Sequence, residues 1–383
     1  MSETPTVAEQ AAAPSPEGPT PERRPDRQPL AFMLTHQSGV VIVVALVIAL
    51  LVGAALIRYQ GVNPWYAYET LIREALFVPD GLTRTLQKTA PLVLTGLAVV
   101  LPLRVGLFNI GGQGQLVFGA MFGALAAYVA GGLGILGAVI GMVAGILAGA
   151  LIGFIAGVLK ATRGVHEVIT TIMLNYIAAG VTWWLVLGPA QAETSKTSGI
   201  PKTETIPEGA QVGAIAGIPV GFIIAVALAA ACWWMLSRTT LGFRFNTVGA
   251  NKHAAGYAGI PIGRIITLSM VMGGGLAGLA GALEAEGTLY AFEPAVGGTL
   301  GFDGITIALL ARANPLATIP AALLVGILRT GAAGLQFATG IAPEVVDLLL
   351  AIILLMVSIP VLGKWIFRSR ADKVTAASTS WGN

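Results

Sequence analysis

The chain has 383 residues, of which 55% are hydrophobic and only 11% charged, and its formal net charge is +3. A soluble globular protein carries charge on about a quarter of its residues. So few charged side chains could not cover a water-facing surface, which excludes an ordinary cytosolic enzyme, a nucleic-acid binder and a disordered protein. The composition predicts an all-α polytopic membrane protein. The single cysteine, Cys232, excludes a disulfide framework.

The N-terminal residues 1–37 differ from the rest, because they hold seven of the 21 prolines and eight charges. Such a segment buries too little apolar surface to offset its ordering entropy, so it is predicted to be a disordered cytoplasmic tail. Residues 38–365 are predicted to form one transmembrane domain, followed by a cytoplasmic C-terminal tail at 366–383.

About 20 apolar residues cross a bilayer as a helix. Charge-poor stretches predict about ten spans, at 38–57, 89–103, 115–130, 133–158, 168–187, 218–236, 264–283, 300–311, 316–330 and 344–362. The mixed region 58–88 is predicted to lie outside the membrane or on its surface. Short apolar segments beside residues 109–115 and 312–315 indicate broken or re-entrant helices.

Lysine and arginine predict the orientation, because they are concentrated on the cytoplasmic side of membrane proteins. With the N-terminus inside, 15 of the 22 fall on the cytoplasmic side and seven outside, Arg84, Lys88 and Arg329 among the seven. Both termini are therefore predicted to be cytoplasmic.

Glycines repeat every four residues from Gly137 to Gly157, which puts six of them on one helix face. A tight helix–helix seam is favoured over chance. Gly274, Gly278 and Ala282 share a face of another helix, with Glu286 at its outer end.

Uncharged polar groups interrupt the apolar sequence in two places. Asn109, Gln113 and Gln115 predict either a path for a neutral polar solute or a cytoplasmic turn between spans. Thr171 and Asn175 share a helix face with Glu167, and this stripe faces either a pore or a neighbouring helix. For Glu167, a plain helix-start carboxylate is the favoured interpretation.

Four carboxylates, Glu284, Glu286, Glu293 and Asp303, follow a glycine-rich span and are predicted to make the outer mouth acidic. A carboxylate inside a span is a functional candidate. The alternative is an exposed outer loop, which is the favoured interpretation for Glu284 and Glu293.

The sequence lacks a GxxxxGK[ST] nucleotide site, and no set of acid, base and nucleophile or of metal ligands stands out. No catalytic residue and no metal site are therefore predicted. Residues 240–260 combine basic, aromatic and small residues, so they predict either a docking element for a partner or an inert connector.

Five ordered motifs carry a family resemblance. They are GLFNIGGQGQ (106–115), GVHEVITTIMLN (164–175), TLGF with VGAN and YAGI (within 240–260), GFDGITIALL (301–310) and NPL (314–316). The chain resembles the permease subunits of bacterial ABC importers for nucleosides and simple sugars, in the group that also serves ribose and branched-chain amino acids.

The resemblance implies a multi-pass protein of the bacterial inner membrane that moves a nucleoside, or a simple sugar, into the cytoplasm. It implies three partners: a second permease subunit, a cytoplasmic ATPase that binds ATP and Mg, and an extracytoplasmic substrate-binding lipoprotein. No cofactor is expected in this chain. The loop 240–260 would transmit ATPase closure through Gly242, Arg244, Gly249, Asn251, Ala255, Tyr257 and Gly259.

The residues predicted to line the substrate path are Asn109, Gln113, Gln115, Thr171, Asn175 and Asp303. The alternative function is an ion-coupled secondary transporter of a neutral polar solute, with Asp303 or Glu286 as the coupling carboxylate. A passive channel is a further alternative.

Overall fold

The computed structural model describes residues 47–294 and 298–358, which are mostly helical. The predicted tails 1–37 and 366–383 lie outside these residues. The helices are α1 (Val47–Tyr59), α2 (Pro64–Leu76), α3 (Gly81–Arg104), α4 (Gly112–Val129), α5 (Ile135–Arg163), α6 (Glu167–Leu187), α7 (Glu193–Ser198), α8 (Val220–Arg238), α9 (Thr240–Ala250), α10 (Lys252–Tyr257), α11 (Ile262–Glu284), α12 (Leu300–Leu310), α13 (Thr318–Thr339) and α14 (Glu344–Ser358). An antiparallel hairpin of two short strands, β1 (Ala214–Ile215) and β2 (Ile218–Pro219), precedes α8.

Among the described residues, six helices are long and apolar enough to cross a bilayer: α3, α5, α6, α8, α11 and α13. The pair α1 and α2, bent by 112°, is a seventh candidate, and α12 is an apolar helix of only 11 residues. The predicted all-α polytopic architecture is confirmed. The count of ten spans and the orientation of the termini stay predictions.

Two predicted spans were drawn too short. The stretch 89–103 is the second part of α3, a helix of 24 residues that already contains Arg84 and Lys88. The stretch 316–330 belongs to α13, which continues to Thr339 and holds Arg329 near its middle. Arg329, which was counted on the outer side, therefore lies within a helix. Spans predicted from charge-poor stretches stop near charged residues. A helix, in contrast, continues through a charge that finds a partner.

The mixed region before α3 contains α2, whose start is fixed locally. The Asn63 side chain accepts a hydrogen bond from the Trp65 amide at 3.0 Å, and Pro64 occupies the first helical turn, where its missing N–H is tolerated. Ala67, Leu71 and Ala75 are buried, and Leu71 lies against Gly331 of α13. This helix therefore forms an amphipathic layer on α13.

The predicted glycine seam is confirmed, and its partners are α11 and α4. All six glycines of α5 are buried, and Cβ atoms added at Gly149 or Gly153 would collide with backbone oxygens of α11. Gly278 of α11 is equally close to the Gly145 carbonyl. Small residues let helices approach to backbone contact, which is the main source of packing energy where lipid removes the hydrophobic drive.

One end of the helices is rich in arginine. The Gly249 backbone lies against the Arg104 carbonyl at the end of α3, and Arg104 Nε donates to the Ala313 carbonyl, just after α12, at 2.8 Å. We call this the basic end; helix termini carry arginines there, namely Arg104, Arg163, Arg238, Arg264 and, after α12, Arg312.

The opposite end is closed by the segment between α7 and α8. The Thr203 and Ile206 amides donate to the carbonyls of Phe292 and Tyr290 at 3.0 and 2.7 Å. The Thr83 hydroxyl at the start of α3 donates to the Gly217 carbonyl at 2.8 Å, inside the turn of the hairpin. This segment therefore connects the start of α3 with the chain that follows α11, two regions that are distant in sequence.

We expect Gly149→Ala to destabilise the protein, because the new methyl group would collide with the Gly274 carbonyl and the Gly278 backbone. Overpacking of this kind costs ~1–3 kcal/mol. Melting of the purified protein in mild detergent should fall by several degrees. Gly180→Ala in α6 is the matched control, since no atom lies within 4 Å of its added Cβ. Equal melting temperatures for both variants would contradict the seam.

Candidate functional site

The chain between α3 and α4 is non-helical and buried. Val105, Leu107 and Asn109 are at most 1% exposed. The side-chain Nδ2 of Asn109 donates to the carbonyl of Ala98, six residues before the end of α3, at 3.3 Å. At 1.5 Å per residue, the break therefore folds back by about 9 Å alongside α3. Irregular backbone at such depth is stable only where protein satisfies its polar groups.

Asn109 and Gln115 satisfy each other across this break. Asn109 Nδ2 donates to Gln115 Oε1 at 3.0 Å, and Gln115 Nε2 donates to Asn109 Oδ1 at 3.3 Å. The Gly111 amide donates to the same Asn109 oxygen. Both side chains are fully buried, so in this conformation they stabilise the break and a solute could not touch them. Their role as path-lining residues stays a prediction.

Asn175 of α6 holds the break from the other side. Its Oδ1 accepts from the Gly114 amide at 2.8 Å, and its Nδ2 donates to the Ile110 carbonyl at 3.0 Å. We call Asn109, Gln115 and Asn175 the amide clasp. Thr171, one turn earlier, is buried with its hydroxyl bonded to the Glu167 carbonyl at 2.8 Å.

The polar stripe of α6 thus faces neighbouring protein, the second of its two predicted alternatives. Glu167 itself forms an ion pair with Lys160 at 2.8 Å, which closes the turn from α5 to α6. Its interpretation as a helix-start carboxylate agrees with this position in the first turn.

Gln113 connects the starts of α4 and α12. Its Oε1 accepts from the Gly301 amide at 2.9 Å, and its Nε2 donates to the Gly298 carbonyl at 2.9 Å. Gly301 packs directly against the Gly112–Gln113 backbone, where any side chain would collide. The Gln113 side-chain oxygen therefore satisfies one of the free N–H groups in the first turn of α12. The N-termini of α4 and α12 meet here, beside the partly exposed Gln113 side chain.

Asp303 in the first turn of α12 is paired with Arg329 of α13. The Arg329 Nη2 atom lies 2.7 Å from Asp303 Oδ2 and donates to the Thr299 hydroxyl at 2.7 Å. The two charged side chains are 19% and 22% exposed. Sequence reasoning found Asp303 and missed Arg329, although a lone arginine between two apolar stretches was the available signal.

The other predicted outer carboxylates do not share one loop. Glu284 is the last residue of α11 and accepts from the Thr288 hydroxyl at 3.4 Å, so the exposed-loop interpretation is wrong for it. Its side chain is only partly accessible. A single π turn at 285–289 then carries Glu286 into the seam beside Gly141, where it is fully buried. Neither carboxylate oxygen of Glu286 has a hydrogen-bond partner among the described residues. Glu293 lies beyond this turn and is half-buried.

Residues 240–260 form two short helices at the basic end. Phe245, Val248 and Ala255 are fully buried on one side, whereas Tyr257 is 95% exposed on the other, together with Arg244.

Turn chemistry fixes the shape of this helix pair. The Asn251 side chain accepts from the Ala254 amide at 3.1 Å and so starts α10. Gly259 has a φ of +73°, which favours glycine. Gly242 packs against the last turn of α8, and Gly249 against the end of α3.

The described residues contain no cluster of three or more histidine, cysteine or acidic side chains that could hold a metal ion. The site comprises uncharged amides, the Glu167–Lys160 pair, an arginine that pairs with Asp303 at 2.7 Å and with Asp347 at 4.0 Å, and an exposed helix pair.

Comparison with known proteins agrees with this arrangement. Residues 81–358 match the family model described as "Branched-chain amino acid transport system / permease component". The chain is 34% identical to the guanosine ABC transporter permease protein NupP of Bacillus subtilis, over 82% of this chain and 91% of that protein. It is 33% identical to the nucleoside ABC transporter permease protein NupB of Lactococcus lactis, over 88% and 94% of the two chains.

A third relative is an archaeal protein. The glucose ABC transporter permease protein TsgB13 of Haloferax volcanii is 32% identical over 86% of this chain and 88% of its own. These findings confirm the predicted resemblance, and they identify a multi-pass membrane permease rather than an enzyme.

We expect Asn175→Leu to lower the melting temperature, because it leaves the Gly114 N–H and the Ile110 carbonyl without their partner. An unsatisfied buried polar group costs about 1–3 kcal/mol. Thr182→Val is the control on the same helix, since the Thr182 hydroxyl bonds only to carbonyls of α6 itself. If both variants melt at the same temperature, Asn175 does not hold the break.

Proposed function

Since the chain belongs to the permease-component family of branched-chain amino acid transport systems, we propose that it carries a nucleoside, or a simple sugar, into the cytoplasm as one subunit of an ATP-driven importer. The observation that carries this proposal is similarity over nearly the whole chain to permeases named for guanosine, nucleosides and glucose. All these solutes are neutral and rich in hydroxyl or amide groups. A passage that offers the partly exposed Gln113 amide and charges that are paired with one another suits such a solute, since release requires weak binding.

The partners follow from the same proposal. A separate ATPase binds ATP and Mg, because this sequence has no phosphate-binding loop. A second permease chain completes the passage, and an extracytoplasmic lipoprotein delivers the solute. The proposed location is the bacterial inner membrane, with about ten spans and both termini in the cytoplasm.

The ATPase docks at the basic end, on the exposed side of α9 and α10. The arginines of this end favour the cytoplasmic side by the positive-inside rule. The exposed aromatic ring of Tyr257 and the charge of Arg244 offer a partner apolar area and a hydrogen-bonding group together.

Contacts in the chain give this docking a route to the interior. Movement of α9 presses on the end of α3 through the Gly249–Arg104 contact. The hydrogen bond from Arg104 to the Ala313 carbonyl passes the displacement to the end of α12. α12 carries Asp303, so ATPase closure reaches the ion pair through two direct contacts.

Of the two carboxylates in the ion-coupled alternative, Asp303 is already paired with Arg329, which leaves Glu286 as the candidate for that mechanism. The two mechanisms differ in what powers uptake. We expect liposomes that contain this chain, its ATPase, its partner permease and its binding protein to accumulate labelled guanosine or glucose only with internal ATP and Mg. Uptake that ignores ATP and collapses with an uncoupler would overturn the proposal.

We expect Tyr257→Ala to reduce transport-linked ATPase activity severalfold without lowering the melting temperature, because the ring touches partner and not core. Tyr59→Ala is the matched control, since Tyr59 is 91% exposed and lies outside the helix pair. Normal solute-stimulated ATPase activity in the Tyr257 variant would place the docking surface elsewhere.

A further inference from the structure

The ion pair between Asp303 and Arg329 lies inside the membrane-spanning part of the chain. Arg329 is the twelfth of the 22 residues of α13. Gly304 of α12 packs against Thr95, well inside the 24 residues of α3. At 1.5 Å per residue, α12 is about 16 Å long, and its C-terminal end is level with that of α3. Its first turn, with Asp303, is therefore about halfway along the span.

Placing two charges at this depth is expensive, and polar groups kept there usually serve function. The pair is also incompletely satisfied. Arg329 Nε is buried without a hydrogen-bond partner, and Asp303 Oδ1 has none within the part of the chain that the structure describes. A carboxylate acceptor therefore remains available beside the guanidinium, whose Nε is enclosed by protein.

A cavity of about 350 Å³ opens next to this pair, between α12, α13 and α14. Its polar wall consists of Thr299, Asp303, Thr306, Arg329 and Asp347, whose Oδ1 lies 4.0 Å from Arg329 Nη2, and Phe302 is 43% exposed on its rim. The volume is at the small end of the ~300–1,000 Å³ of ligand sites, which combine apolar walls with a few placed polar groups.

This donor and acceptor set selects among solutes. A free anion would meet Asp303 and Asp347, and a free cation would meet the Arg329 guanidinium that both carboxylates contact. Neighbouring hydroxyl groups use both sides, because they donate to the carboxylate and accept from the guanidinium. The phenyl ring can cover the apolar face of a small ring.

We propose that Asp303, Arg329 and Thr306 form a binding site for the vicinal hydroxyl groups of a sugar ring, at the middle of the passage. This inference rests on the proposed function and deepens it. The permease itself recognises the sugar, whether free or as the ribose of a nucleoside, and does not recognise the base at this site. The amides of the clasp take no part, because they are bonded to one another and to backbone.

The test compares initial uptake rates of guanosine and 2′,3′-dideoxyguanosine by the complete transporter in liposomes. The binding protein is the same in every sample, so its own selectivity cancels when variants are compared with the unaltered chain. The unaltered transporter should prefer guanosine. Asp303→Asn should reduce that preference by about tenfold, as expected for loss of a charged hydrogen bond.

Thr306→Val keeps the ion pair and the side-chain shape, so it decides the question if Asp303→Asn fails to assemble. It should reduce the preference severalfold and leave dideoxyguanosine uptake unchanged. Glu344→Gln removes an exposed carboxylate of α14 outside the cavity and should change neither rate.

The outcomes separate the two proposals. Absence of ATP-driven uptake of guanosine and of glucose by the unaltered transporter overturns the proposed function and this inference with it. Uptake with the same preference in all variants overturns this inference alone. An equal fall in the uptake rates of guanosine and dideoxyguanosine assigns the ion pair a purely structural role and also overturns this inference.

Discussion

Polar backbone inside a bilayer must find its partners within the protein, and this constraint governs the break between α3 and α4. Three amide side chains satisfy it: Asn109 and Gln115 bond to each other, and Asn175 bonds to the chain on both sides of Gly112. Because the break is held at depth, α4 starts inside the span. Its first turn can then meet the first turn of α12, and Gln113 joins the two.

The short length of α12 gives the ion pair its position. A full-length helix would carry its first turn to the surface, where Asp303 would be hydrated and its pairing with Arg329 weak. With 11 residues, α12 keeps the carboxylate opposite the centre of α13. The same helix ends beside Arg104, so it connects the basic end, with its exposed α9 and α10, to the interior. The exposed helix pair and the polar interior are thus connected by one element.

Features that depend on local periodicity could be predicted from the sequence. The four-residue spacing of glycines in α5 predicts a seam because the spacing alone puts them on one face. The start of α10 agrees similarly with a local signal, the Asn251 cap. Features that depend on a distant partner could not be predicted. The sequence does not reveal that Arg329 meets Asp303, so the predicted span stopped at residue 330 and Arg329 was counted on the outer side. It also cannot distinguish amides that line a passage from amides that bond to one another, because both look alike in isolation.

Glycine at every fourth position has a mechanical consequence for α5 and α11. Their backbones touch without intervening side chains, so neither helix has a flexible layer through which it could slide past the other. Both helices and the adjoining part of α4 therefore move as one rigid unit. Any rearrangement that admits and releases a solute takes place at the edges of this unit, where longer side chains can change rotamer. The unit itself keeps its shape.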